Sequence, residues 1–99
     1  KVVDLSTNTI LYGQEQIKIE NGKSGEVRIL YTTNFSNNVD ALPIVIVSVG
    51  HGNKGIQYYI STFNIDNEGF SVSAVRTETG DAYDGSLYVN WIAIGNKAV

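Results

Sequence analysis

The chain has no cysteine and no methionine, and only one proline, one histidine and one tryptophan among its 99 residues. Without cysteine there is neither a disulfide framework nor a thiolate metal site, so a domain this small must hold together by burial alone. The single histidine, His51, has no second histidine or thiol to join, which removes a zinc set and leaves no signal for a nucleophile–base pair. No apolar run approaches the roughly 20 residues of a bilayer-spanning helix, and no membrane insertion is expected. Cations are scarce as well: 7 Lys and Arg stand against 10 Asp and Glu, and the net charge of −3 argues against nucleic acid or an anionic membrane as partner. The missing methionine, at position 1 included, points to a piece of a longer polypeptide. Residues 1–99 then form one domain, with 1–13 a possible connector to a preceding region.

What the chain does have is glycine (ten), tyrosine (six), and many β-branched residues, with 42% hydrophobic and 17% charged residues overall. That is the composition of an ordered antiparallel β domain with many turns. Apolar residues recur at period two rather than at helical spacing. Gln14 to Glu20 places Ile17 and Ile19 on one face, after a short strand near Thr9 to Tyr12. Asn21-Gly22 is a strong hairpin signal, lengthened by Lys23-Ser24-Gly25. From Glu26 to Phe35, Val27, Ile29, Tyr31, Thr33 and Phe35 share a side. Ile44 to Val49 is an apolar run broken only by Ser48, the pattern of a strand covered on both faces. Further strands are expected over Ile56 to Ile65, Phe70 to Arg76 and Leu87 to Gly95, the last anchored by Trp91, which should be buried. Strands apolar on both faces ask for a partner surface, and self-association is the natural answer; a two-sided core strand is the plainer one.

The search for chemistry returns little. Gly50-His51-Gly52-Asn53-Lys54-Gly55 has neither of the standard phosphate-loop glycine spacings and no helix after it. A solvated loop histidine accounts for His51. The carboxylate pairs Asp66/Glu68 and Asp81/Asp84 lie in polar turns, where Asx capping accounts for them better than acid–base work on a glycoside. Asp81-Ala82-Tyr83-Asp84-Gly85 lacks the ligand spacing of a calcium loop. No enzyme activity, cofactor or metal is expected. What remains is a binding surface. The loops around Asn53-Lys54 and from Arg76 to Asp84 offer Arg76, Glu78, Asp81, Tyr83 and Asp84, a set suited to hydroxyl recognition with Tyr83 as a stacking ring. An exposed loop with no ligand carries the same residues.

Several segments together resemble the H-type lectin family of snail agglutinins, discoidin C-terminal domains and modules at phage tail-fibre tips. These are the strand with Tyr31 and Phe35, Pro43 with the strand after it, Asn67-Glu68-Gly69-Phe70, and the closing Trp91-Ile92-Ala93-Ile94-Gly95. They fall in the family's order over the C-terminal two-thirds of the chain. The resemblance implies a six- to seven-stranded antiparallel β-sandwich that assembles as a parallel trimer, with Trp91, Phe70, Tyr31 and Phe35 in its core. It also implies a host-surface glycan as partner, bound between protomers, and an extracellular or virion location. Glu20 is the loose counterpart of the family's acidic residue and would reach across from a neighbouring protomer. The chain departs from the family where the sugar is held: the family's strand arginine is replaced by Ser61, and its Trp-His by Arg76-Thr77-Glu78. The phage-tip modules, which keep the Trp-Ile-Ala-Ile-Gly ending and vary their loops, are the nearer likeness. Two roles therefore compete, a glycan-binding receptor-recognition tip and a structural trimerisation or capping module with no sugar.

Overall fold

The computed structural model describes residues 4–20, 24–51, 58–76 and 85–98. These hold six strands: β1 (Asn8–Ile19), β2 (Ser24–Leu30), β3 (Ile44–His51), β4 (Tyr58–Phe63), β5 (Gly69–Arg76) and β6 (Gly85–Asn96). There is no helix among the described residues. The strands make two antiparallel three-stranded sheets: sheet A, in the order β1-β6-β3, and sheet B, in the order β2-β5-β4. The all-β expectation holds, and the arrangement is sandwich-like because the period-two pattern gives each sheet one apolar face to bury. From sheet A that face presents Ile17, Ile19, Leu87, Val89 and Ala93, and from sheet B Ile29, Phe70, Val72 and Ala74.

The closing motif is explained by packing in the central strand of sheet A. Along β6, Trp91 and Ala93 point inward while Ile92 and Ile94 point out. The indole lies over Gly13, its partner in β1, where a Cβ would sit only 3.0 Å from three indole atoms. Gly95 leaves room for Phe35 and Pro43, whose atoms approach to 2.9 and 3.0 Å of the Cβ it lacks. Tyr31 meets Phe35 edge-on at 4.8 Å between ring centres, and Phe70 meets Trp91 edge-on at 5.5 Å, the favoured geometry for rings of opposed edge and face charge.

Four expectations need correction. Phe70, Tyr31 and Phe35 are buried, but Trp91 is only half-buried. Phe70 and Tyr31 already fill the space opposite, so the large indole spreads over Gly13 toward β1, an edge strand beside solvent. The separate strand at Thr9–Tyr12 gives way to a single β1 that starts at Asn8. Gly13 does not interrupt it because β6 pairs with it continuously from Asn8 to Ile19. The strand expected from Glu26 to Phe35 stops at Leu30. There the chain bends and crosses sheets: the Tyr31 amide still donates to Glu68 O in the turn before sheet B's central strand, whereas Phe35 bridges to Lys97 beyond β6. Finally, β3 is an edge strand whose outer face is open, with Ile44 66% and Ile46 59% exposed. Continuous apolarity there does not mean cover within one protomer.

Candidate functional site

Connectivity sorts the strand ends. By register, Ile19 of β1 lies opposite Gly85 of β6, Ser24 of β2 opposite Val75 of β5, Tyr58 of β4 opposite Arg76, and His51 of β3 opposite Tyr88. The ends of β1, β3 and β5 and the starts of β2, β4 and β6 therefore share one end of the molecule, called here the upper end. The three chain segments joining them, 21–23, 52–57 and 77–84, leave from and return to that end. β1 and β2 do not form a hairpin ladder as Asn21-Gly22 signalled. They belong to different sheets and, among the described residues, are joined in backbone pairing by the bridge from Glu20 to Ser24, where the Glu20 amide donates to Ser24 O at 3.0 Å.

Of the candidate sugar-binding residues, two are described. Glu20 is exposed at the end of β1, and Arg76 is the half-buried last residue of β5. Arg76 continues the inward alternation of Phe70, Val72 and Ala74, so its stem closes the upper end of the core rather than standing on a free loop. Asn53, Lys54, Glu78, Asp81, Tyr83 and Asp84 lie outside the described residues. Ser61, at the place of the family's strand arginine, is an exposed outward position of β4 opposite Ser73. His51 belongs to β3, past a register shift after Val49, rather than to a loop.

The opposite, lower end carries a polar cluster that local sequence did not signal. A shallow cleft is lined by Arg28, Asn64, Ile65, Asp66 and Ser71. The Arg28 guanidinium donates to Asp66 Oδ2 at 2.8 Å, to the Asn64 carbonyl at 2.6 Å and to Ser71 Oγ at 3.4 Å. Asn64 carries the left-handed φ of 51° that Asn tolerates better than most residues. Asp66 is the Asx cap expected of this turn: its Oδ1 accepts the amides of Glu68 (2.8 Å) and Gly69 (2.9 Å). Burial pushes the Asp66 carboxyl up, but those amides and then Arg28 outweigh it and hold the group below its ordinary value. Close by, burial pushes the Tyr31 hydroxyl up to about 12, with Asp66 adding to the rise and Arg28 opposing it. Arg28 spends its donors on the protein itself, so this cluster ties β2 to the β4–β5 turn. Arg28 and Asp66 are 38 residues apart, and only the folded register brings them together.

Among the described residues no three His, Asp or Glu side chains gather in a way that could hold a metal ion. No family model matches the chain, and no curated protein matches it.

Proposed function

We propose that the chain is a carbohydrate-binding, receptor-recognition module, of the kind carried at the tip of a phage tail fibre or a similar adhesin, that grips host-surface glycans as a trimer. The observation that carries this reading is the gathering at the upper end. Glu20, Arg76 and the two segments that hold Asn53, Lys54, Glu78, Asp81, Tyr83 and Asp84 all attach to strand ends on one side of a two-sheet scaffold. Binding loops carried at one end of a β scaffold are a general solution to recognition, because the strands fix where the loops begin and end. Two three-stranded antiparallel sheets with the Trp-Ile-Ala-Ile-Gly strand at the centre of one also agree with the H-type resemblance. Tyr83 serves as stacking ring, the carboxylates accept hydroxyl donors, and Arg76 donates. One such shallow site gives millimolar-class affinity, and threefold presentation raises it by orders of magnitude through effective concentration.

The second reading, a structural trimerisation or capping module, is favoured by a different observation: the open apolar face of sheet A needs a protein partner whether or not a sugar is bound. A glycan array probed with the wild-type chain and with a Tyr83→Ala/Asp81→Ala double variant separates the two. Glycan binding by the wild type and at least a tenfold loss in the folded double variant support the lectin reading. No binding to any glycan or to host cells favours the structural module. Equal binding by both proteins moves the site away from 77–84.

A further inference from the structure

The outer face of sheet B is shaped by a difference in side-chain size between its strands. Register sets three rows across the sheet, Arg28–Ser71–Phe63, Glu26–Ser73–Ser61 and Ser24–Val75–Tyr59, with β5 in the middle of each. Ser71 is buried and Ser73 half-buried, whereas Glu26 and Tyr59 stand exposed on the flanking strands, Tyr59 at 69%. The short side chains of the central strand therefore lie below taller ones beside them, and a trough follows β5. Its lower end opens into the Arg28–Asp66 cleft, a shallow space of about 490 Å³. Arg28 is fixed over Ser71 there by its bonds to Asp66 and to the Asn64 carbonyl. From Phe63 to Tyr59 the trough spans four residue steps of β4, about 14 Å at roughly 3.4 Å per residue.

We infer that this trough holds a short neutral oligosaccharide lying along β5, a second glycan site separate from the upper-end loops. The inference takes its ligand class from the function proposed above but places it on another face, so the two can fail separately. Shape is the first argument. The cleft falls within the range of about 300–1,000 Å³ usual for small-ligand sites, and the trough that continues it is longer than one sugar ring. Chemistry is the second. A saccharide presents apolar C–H faces beside hydroxyls that both donate and accept. The Tyr59 ring with the exposed Val75 next to it offers an apolar step, Ser61 and Ser73 supply hydroxyls, and the Glu26 and Asp66 carboxylates accept.

Charge is the third argument. Among the described residues of the three rows and the cleft, the charged ones are Glu26, Arg28 and Asp66, and Arg28 is already paired to Asp66 at 2.8 Å. That balance repels a polyanion and suits an uncharged chain. Rigidity is the fourth. Tyr59, Ser61, Ser73, Val75 and Glu26 all stand on paired strands, so binding orders little that is not ordered already. The face also points away from sheet A, on the far side of the shared core. A partner that covers sheet A leaves it open.

The test is nuclear magnetic resonance titration of the ¹⁵N-labelled chain. The probes are neutral hexasaccharides of glucose, galactose, N-acetylglucosamine or N-acetylgalactosamine, each with its monosaccharide. The wild type is compared with Tyr59→Ala/Ser73→Val, with Tyr59→Trp and with the loop variant Tyr83→Ala/Asp81→Ala, and circular dichroism verifies folding. With at least one hexasaccharide, the amides of 59–63 and 71–75 should shift and saturate, at least tenfold more tightly than with the monosaccharide. The loop variant and Tyr59→Trp should keep this response, and Tyr59→Ala/Ser73→Val should weaken it at least tenfold while staying folded. Shifts confined to residues 20 and 76–84 overturn the trough and leave the loop site standing. Sheet B shifts that survive Tyr59→Ala/Ser73→Val, or that are as strong with a monosaccharide, overturn the trough as the seat of a chain. No shift with any probe overturns both glycan sites.

Discussion

On the outer face of sheet A, neighbouring strands set Ile10 beside Ile94 and Ile44, and Tyr12 beside Ile92 and Ile46. The equivalent surface of sheet B sets Glu26 beside Ser73 and Ser61, and Arg28 beside Ser71 and Phe63. Both sheets are three-stranded and antiparallel and bury one face in the same core. An antiparallel sheet with one wet face is expected to alternate apolar-in and polar-out, and sheet B largely does. Sheet A does so only toward its upper end. Since the core is already served by the inward residues, the outward isoleucines of sheet A add nothing to the isolated protomer. Sheet B departs from it at Leu30, Tyr59 and Val75, and a broader apolar surface such as that of sheet A is the kind that marks an interaction site in the assembly proposed above.

The comparison can be broken first at the level both faces share. Phe70 is fully buried between the sheets and touches the Tyr31 and Trp91 rings. Phe70→Ala should cost about 3–5 kcal/mol in urea unfolding, the range for deleting a large buried ring. A loss below about 1 kcal/mol would mean that the two sheets do not share one core.

A smaller effect belongs to sheet B alone. Arg28→Ala removes a guanidinium that ties β2 to Asn64 and Asp66 and covers Ser71. Because the Arg28 and Asp66 side chains stay 36% and 50% exposed, the ion pair itself is worth little, and the whole change should cost about 1 kcal/mol. The carboxyl of Asp66 is held below its ordinary value, so it binds protons less readily in the folded chain than in the unfolded one. Its contribution is present above the unfolded value of 3.8 and fades as pH falls through the folded one. Asp66→Asn should flatten that acid limb of the stability curve and leave the oligomeric state untouched. A change in mass on altering Arg28 or Asp66 would place the interface on the wrong sheet.

The smallest effect has the opposite sign. The Tyr31 hydroxyl is buried and meets no hydrogen-bonding partner among the described residues. Tyr31→Phe should therefore stabilise the chain by up to about 1 kcal/mol. With its pKa raised to about 12, Tyr31 stays protonated in the folded state while the unfolded chain ionises near 10. Stability is then lost as pH rises from about 10 to 12, and Tyr31→Phe should weaken that loss in an alkaline melting series. A destabilised Tyr31→Phe would show that the hydroxyl is hydrogen-bonded after all.

Much of the fold was legible in the sequence. Ile17, Ile19, Phe70 and Val72 are inward because period two leaves an apolar face only one place to go. The crossing at Tyr31–Phe35 was not legible, because the alternation runs on through the bend: Tyr31 and Phe35 both stay buried while the backbone changes sheets. The run Ile44-Val45-Ile46-Val47 signalled two apolar surroundings, and only the strand order identifies β3 as an edge with one of them empty. At the candidate site, the sequence named residue types and their loops. That Glu20 and Arg76 belong to the same end follows from register, which single-sequence pattern does not encode. Nothing local signals the role of Arg28, because its partner is 38 positions away.

The two faces each carry an exposed tyrosine, Tyr12 on sheet A at 81% and Tyr59 on sheet B at 69%, and this pair offers the most direct test. Nitration of the native protein with tetranitromethane, read residue by residue by mass spectrometry, compares them within one molecule. If sheet A is covered by neighbouring copies, Tyr59 reacts and Tyr12 is protected, and an Ile44→Lys/Ile46→Lys variant restores Tyr12 to the rate of Tyr59. Equal nitration of both tyrosines in the wild type at about 100 μM would contradict the account, because it would leave the apolar face of sheet A open to water.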